Sequence, residues 1–366
     1  MILMNDFKAE SQELRQKTLS AVDRVLQSGW YILGNEVKQF EGDWAIICGA
    51  KHAVGVANGM DAIEIGLRTL GIGPGDEVIT TTMSAFATVL AILRAGATPV
   101  LADIDPTTAL LSRASVETCI TKKTRAVLLV HLYGQVRHMD EWIDFCGAHQ
   151  LLLLEDCAQS HLAHSHGRIA GTFGEWGAYS FYPTKNLGAM GDAGALVTNR
   201  DDIATDARML LNYGQSKRYH HPMLGLNSRL DEMQAAILSV RLEMLYRYTE
   251  RRQEIARIYH DQIRHSEVSA LAQPVEDGNH VYHLFVIRCR QRDKLAQHMR
   301  NHQIETLIHY PIPIHKQPPC ADVFIAPSGL INADMHAEFC LSLPCNPHLT
   351  ESQLAQITDV VNGFPG

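Results

Sequence analysis

The chain has 366 residues, 46% of them apolar and 20% charged, a normal globular mixture with room for a sizeable core. Lysine and arginine number 32 against 40 acidic residues, a net −8 with histidine neutral, which disfavours a nucleic-acid-binding face and leaves small anionic ligands open. The opening MILMNDFKAESQEL lacks a signal-peptide pattern, and no apolar run approaches the ~20 residues of a bilayer span, so a cytoplasmic protein off the membrane is expected.

A helical pattern over 8–27 ends at Ser28-Gly29 and is followed by an irregular segment, GWYILGNEV. From Val54 onward short apolar runs alternate with amphipathic helices. The runs are DEVITTT (76–82), ATPVLAD (97–103), AVLLVHLY (126–133), QLLLLED (150–156), AYSFYP (178–183) and GALVT (194–198). Between them, Ile63, Leu67 and Leu70 share one helical face, as do Phe86, Val89, Leu90 and Leu93. This alternation predicts an α/β fold with a mostly parallel sheet covered by helices, its ligands lying beyond the carboxyl ends of the strands. A long helical pattern over 229–262 is long enough to cross into a second unit. Beyond it VYHLFVIRCR (281–290) and IETLIHY (304–310) read as strands, and 349–364 as a closing helix capped by Thr350. The expected division is a large domain over 1–245, including the N-terminal helix, and a smaller C-terminal α/β domain over 246–366.

The eight cysteines form no C-x-x-C pair, and with no export signal they read as reduced thiols. His161, His164 and His166 match neither a helical metal pair nor a zinc ribbon, so they read as a loop of exposed imidazoles, and no metal is expected.

Three segments carry the chemistry. In LLLLED (151–156), Asp156 closes a buried strand, and a buried carboxylate needs a partner; alone it reads first as a structural turn cap, and the second segment changes that. In SFYPTKN (180–186), Lys185 follows an apolar strand end, a setting that lowers an amine's pKa and favours imine formation. A pyridoxal-phosphate (PLP) site needs both a lysine and a carboxylate for the pyridinium nitrogen. In VANGMDAIEIGL (56–67), Gly59 allows a tight turn, and the amides of Met60 and Asp61 open a helix whose N-terminus suits a phosphate. That segment also reads as an ordinary capped helix.

Taken together, NGMDAIEIGLRTLGIGPGDEVIT, GATPVLADID, VHLYGQ, EDCAQSH, SFYPTKNLGAMGDAGAL, LNYG and LGLNSRLDEMQAAIL resemble the DegT/DnrJ/EryC1/StrS family of PLP-dependent nucleotide-sugar aminotransferases. The likeness runs from SGWYILGNEVKQFE (28–41) to HYPIPIHKQP (309–318). It implies the fold-type I, aspartate-aminotransferase-like architecture. It also implies Lys185 as Schiff-base lysine, Asp156 on the pyridinium nitrogen, Gln159 on the 3′-oxygen, and Ser180 with the Met60 and Asp61 amides on the phosphate. Asn227 would reach the phosphate of the other subunit in a homodimer with shared sites, where the bare residue reads as a helix cap. Two positions depart from the family pattern. Met60 replaces the usual threonine, and Ala85 falls where the ring-stacking aromatic is expected, with Phe86 one place later. One helical step turns a side chain by about 100°, so Phe86 is carried as the stacking candidate against a core-facing alternative.

KNLGAMGDAGA resembles members that aminate C3 of a 3-keto nucleotide sugar, and TLIHYPIPIHKQ and YHHPMLGLNSRLDE resemble enzymes making dTDP-3-amino-3,6-dideoxyhexoses. The implied reaction takes an amine from glutamate, with pyridoxamine phosphate as the alternate cofactor form, and gives it to a 3-keto dTDP-sugar for deoxyamino-sugar and surface-polysaccharide synthesis. Tyr182, His309 and Tyr310 are candidates to face the sugar. The alternatives are amination at C4, sugar dehydration, in which family members replace the lysine, and a non-catalytic sensor of the same fold.

Overall fold

The computed structural model describes residues 1–276 and 278–366. The helices are α1 (Gln12–Ser28), α2 (Asn35–Cys48), α3 (Gly59–Thr69), α4 (Phe86–Arg94), α5 (Arg113–Cys119), α6 (Met139–His149), α7 (Asp201–Leu210), α8 (Glu232–Leu242), α9 (Leu245–Gln262), α10 (Arg292–Asn301), α11 (Ile331–Phe339) and α12 (Glu351–Asn362). The strands are β1 (His52–Val56), β2 (Glu77–Thr81), β3 (Thr98–Ala102), β4 (Thr124–Val130), β5 (Leu152–Asp156), β6 (His164–Ser165), β7 (Arg168–Ile169), β8 (Gly177–Ser180), β9 (Gly194–Thr198), β10 (Val268–Ala270), β11 (Phe285–Cys289), β12 (Phe324–Ile325) and β13 (Cys340–Leu343).

The main sheet runs in the order β1-β9-β8-β5-β4-β2-β3-β12. β9 pairs antiparallel to both β1 and β8, and the remaining pairs are parallel. β9 alone therefore opposes the rest, and β1, β8, β5, β4 and β2 all end on one edge. Both faces are covered. One apolar cluster includes Trp44, Val127, Tyr179 and Phe181, and the other includes Ile65, Leu128, Leu154 and Trp176. This explains why the strands read as unbroken apolar runs.

The C-terminal part forms a three-stranded sheet, β10-β11-β13. Its cluster joins Ile255 and Tyr259 of α9 to Leu354 and Ile357 of α12, and Ile2 packs into it. No described helix is long and apolar enough to cross a membrane.

Several local expectations hold. Gly29 ends α1 in the left-handed conformation at φ +63°, where a side chain would be strained. Thr350 caps α12 in a reciprocal capping box with Gln353. The eight cysteines are all buried and unpaired.

Others change. The irregular segment is shorter than read, because α2 starts at Asn35 and buries Val37, Phe40, Trp44 and Cys48. The long 229–262 helix is two helices, broken at Glu243–Met244. The segments 281–284 and 304–310 are not strands; Ile304 and Leu307 make isolated bridges to Ile2 and Ser342. On α4 the buried residues are Thr88, Val89, Ala91 and Ile92, so the apolar stripe is turned from the expected one, with Phe86 and Leu90 half-buried and Leu93 exposed. His161 is fully buried and only His166 of the histidine run is exposed, which overturns the exposed-loop reading. His161 packs among Trp44, Tyr179 and Phe181.

Candidate active site

The shared strand edge brings the chemistry-bearing residues together. Asp156 closes β5 and lies in register with Ala178 of β8. Ser180 ends β8, and Lys185 follows in the next turn, its N–H bonded to the Tyr182 carbonyl over 2.8 Å. Lys185 as a whole is half-buried. Burial of its amine lowers the pKa to about 8, while the negative charge of Asp156 pulls the other way. Asp156 is 4% exposed. Burial raises its pKa, and the Thr88 hydroxyl, the Ala158 N–H and the Lys185 charge oppose that rise. Thr88 Oγ1 donates to Asp156 Oδ2 over 2.8 Å, and the Ala158 amide donates to Oδ1 over 3.1 Å.

Gln159 lies three residues beyond Asp156. Its Oε1 accepts from the Tyr133 N–H over 2.6 Å, and its Nε2 donates to Tyr310 Oη over 3.1 Å. These bonds fix which end of the amide is which. An amide nitrogen has two protons, so one donor of Gln159 remains for a cofactor oxygen. Tyr310 accepts from Gln159, which leaves its own proton free; burial pushes its pKa to about 12, so that proton is retained at neutral pH. His309 Nδ1 pairs with Ser342 Oγ at 2.8 Å, leaving Nε2 for another partner. Burial, with the Lys185 charge adding to it, lowers the His309 pKa to about 4, so the ring is neutral at pH 7.

Tyr133 braces this corner. It is fully buried at φ +63°, a conformation costly for an aromatic residue and held only where the surroundings over-determine it. Its hydroxyl donates to the His309 carbonyl and lies 2.9 Å from His336 Nε2.

The anion side is built from β1, α3 and β8. Asn58 caps α3, its Oδ1 accepting the Asp61 N–H over 2.8 Å. The Asp61 amide is therefore taken, which corrects the expectation of two free amides. The Met60 N–H has no acceptor among the described residues, and the Ser180 hydroxyl keeps a free proton, since Oγ accepts from the Tyr182 N–H. Gly59 is required for close approach and not for a left-handed turn, because a Cβ there would stand 2.6 Å from Ser180 Cβ. Asp61 is buried, its carboxylate 3.3 Å from Arg94. Phe86 opens α4 and packs against the main cluster.

Two residues stand apart. Tyr182 is 52% exposed, which excludes a core role. Asn227 is exposed, bridged through its backbone to Asn212. The cap of α8 is Asp231, so Asn227 is not a helix cap.

Thr88, with Ser84 Oγ 2.9 Å from its hydroxyl, and Tyr133 are residues of this edge that sequence reasoning missed. Polar Thr88 inside the apolar stretch FATVLAIL was the available signal, as was the VHLYGQ motif for Tyr133. A buried carboxylate, an amine of lowered pKa and an anion-ready helix start on one edge fit the ring nitrogen, aldehyde and phosphate of PLP.

The sequence profile of the DegT/DnrJ/EryC1/StrS aminotransferase family matches residues 12–362. The chain is 42% identical to a Geobacillus stearothermophilus protein named a pleiotropic regulatory protein, over 99% of this chain and 98% of that one. It is 43% identical to the dTDP-3-amino-3,4,6-trideoxy-alpha-D-glucose transaminase of Streptomyces venezuelae, over 97% and 94% of the two chains. The crystal structure of S. venezuelae DesV in complex with a ketimine intermediate superposes with a TM-score of 0.95 at 42% identity, covering 99% of this chain and 97% of that one.

Proposed function

Because the chain belongs to the DegT/DnrJ/EryC1/StrS aminotransferase family and is a PLP-dependent sugar aminotransferase, we propose that it aminates C3 of a 3-keto, 6-deoxy hexose carried on dTDP, with L-glutamate as donor. The observation that carries the chemistry is that Lys185, its amine pKa lowered by burial to about 8, follows the end of β8 beside β5, which ends on the buried carboxylate of Asp156, and each feels the other's charge. The position C3 is supported by the run KNLGAMGDAGA and by the 3-amino product in the name of the Streptomyces relative.

When bound, PLP supplies an electron sink for charge left on a deprotonated carbon. Lys185 Nζ, with a free-base fraction near neutral pH, serves as nucleophile and then carries a proton to and from the substrate carbon. Asp156, whose carboxylate accepts from Thr88 and Ala158 against the burial that raises its pKa, would bind the ring nitrogen. The Met60 N–H and Ser180 O–H hold the phosphate at the start of α3, Gln159 offers its remaining N–H to the ring oxygen, and Phe86 is the stacking candidate. Tyr310 presents a proton, and neutral His309 a free Nε2, toward the sugar, with exposed Tyr182 at the rim.

The active unit in this reading is a homodimer. The exposed amide of Asn227 reaches the partner's phosphate site, and exposed Tyr213 and Leu224 on the same segment support a covering copy. Buried, unpaired thiols accord with a cytoplasmic setting.

The test is an end-point reaction with glutamate against 3-keto and 4-keto sugars on dTDP and UDP, with NMR of the product. A 3-amino dTDP-sugar is expected. A 4-amino sugar as the only product overturns the regiochemistry, and no amine transfer to any sugar would favour a sensory role.

A further inference from the structure

Thr88 is the third residue of α4. A threonine in a helix ordinarily returns its hydroxyl to the carbonyl three or four residues back. Thr18 does so to Leu14 at 2.8 Å, and Thr205 to Asp201 at 2.7 Å. Thr88 does not; its hydroxyl leaves the helix and donates to Asp156 Oδ2 on β5 over 2.8 Å. Behind it, Ser84 Oγ stands 2.9 Å from Thr88 Oγ1.

The direction of this chain is fixed by its last member. The Thr88 hydroxyl donates its one proton to Asp156 Oδ2, so Ser84 is the donor to Thr88. Ser84, Thr88 and Asp156 are 5%, 1% and 4% exposed, so water does not replace these bonds cheaply. The Ala158 N–H holds the other carboxylate oxygen at 3.1 Å. The carboxyl group cannot rotate without breaking both contacts. The start of α4 also lies beside it, and a helix N-terminus favours negative charge. Each contact favours the ionised form against the burial that opposes it.

We propose that Thr88, backed by Ser84, is a positioning residue for the transamination, fixing the direction of the Asp156 carboxylate and keeping it ionised for the cofactor's ring nitrogen. This rests on the reading of Asp156 as the partner of that nitrogen.

The experiment compares Thr88→Val, Thr88→Ser, Ser84→Ala and Asp156→Asn with wild type. Four quantities are read: kcat and KM, the pH titration of the holoenzyme's visible absorbance, the affinity of the apo-protein for PLP, and Tm. Thr88→Val keeps the shape and loses the donor. It is expected to lower kcat by about tenfold or more, as loss of a hydrogen bond to a charged group does, with each KM within about twofold. It is also expected to shift the absorbance titration and weaken PLP binding, and Thr88→Ser to restore most of each. A change in Tm alone, or a serine variant as impaired as the valine one, overturns the proposal. Should Thr88→Val not fold, Ser84→Ala carries the test: a smaller change in kcat and absorbance in the same direction is expected, and no change overturns it. Full turnover by Asp156→Asn instead overturns the ring-nitrogen reading itself, a result separate from any outcome at Thr88.

Discussion

The amide of Gln159 donates to the hydroxyl of Tyr310 over 3.1 Å, a bond that, in the proposed function, would join the cofactor side of the site to its sugar side. The Tyr133 N–H on the opposite end of that amide holds it in this orientation. Tyr310→Phe leaves the Gln159 donor without its acceptor and removes the proton that the proposed function offers to the sugar. The KM for the nucleotide sugar is expected to rise by about three- to tenfold, the scale of one neutral hydrogen bond, while PLP retention on dialysis is nearly unchanged. An unchanged sugar KM would remove Tyr310 from the sugar side.

The lowered pKa of Lys185 makes a pH prediction whose sign is fixed. Only the free amine attacks the PLP aldehyde, so covalent attachment to the apo-protein should accelerate as pH rises. Half of the maximal rate should fall near the pKa of about 8, well below the ordinary lysine value. Stopped-flow absorbance gives the midpoint. A rate still climbing through pH 10 would contradict the lowered amine pKa.

Glu232 is 3% exposed, and its carboxylate accepts the N–H groups of Gly34, Glu36 and Val37 at 2.8, 2.9 and 3.0 Å. It thereby caps α2 from the start of α8. Glu232→Ala strips these amides of their acceptor and should cost about 1–3 kcal/mol or more of stability. Denaturant unfolding at fixed protein concentration measures the loss. A change below about 0.5 kcal/mol, the range of an ordinary surface substitution, would show that water replaces the carboxylate.

Much of this was legible in the sequence, and each miss has a physical cause. The parallel strands are buried on both faces, so they stand out as apolar runs, and Asp156, Ser180 and Lys185 follow from their ends. Asn227, Ser228 and Asp231 are all good cap residues within one segment, and composition cannot choose among them. In the fold Asp231 takes the N-cap position of α8 without a capping side-chain bond, and Ser228 Oγ accepts from the Ala57 N–H at 3.2 Å. The break between α8 and α9 falls at Glu243–Met244, where no glycine or proline marks it. In α2, buried Val37, Phe40, Trp44 and Cys48 recur at helical spacing, but the irregular GWYILG before them hides the start. In VANGMDAIEIGL a phosphate-binding start and an ordinary capped helix read alike, and only the fold shows Asn58 Oδ1 taking the Asp61 N–H. Thr88 was hidden because a threonine among apolar helix residues ordinarily satisfies itself.

The exposed side chain of Asn227 leads to a complementation experiment. Lys185→Ala and Asn227→Ala subunits are mixed, with each parent verified as impaired. If Asn227 acts on the partner's site, one site of each heterodimer carries both lesions and the other is intact, so up to about half-site activity returns. No recovery in confirmed heterodimers would remove the shared-site reading.

The most direct test of the account is to find where the cofactor attaches. Wild-type holoenzyme is reduced with borohydride and digested, and the modified peptide is identified by mass spectrometry. The account predicts a single phosphopyridoxyl group on Lys185, absent from Lys185→Ala along with the visible absorbance and all turnover. Attachment at another lysine, or turnover by the alanine variant, would contradict it.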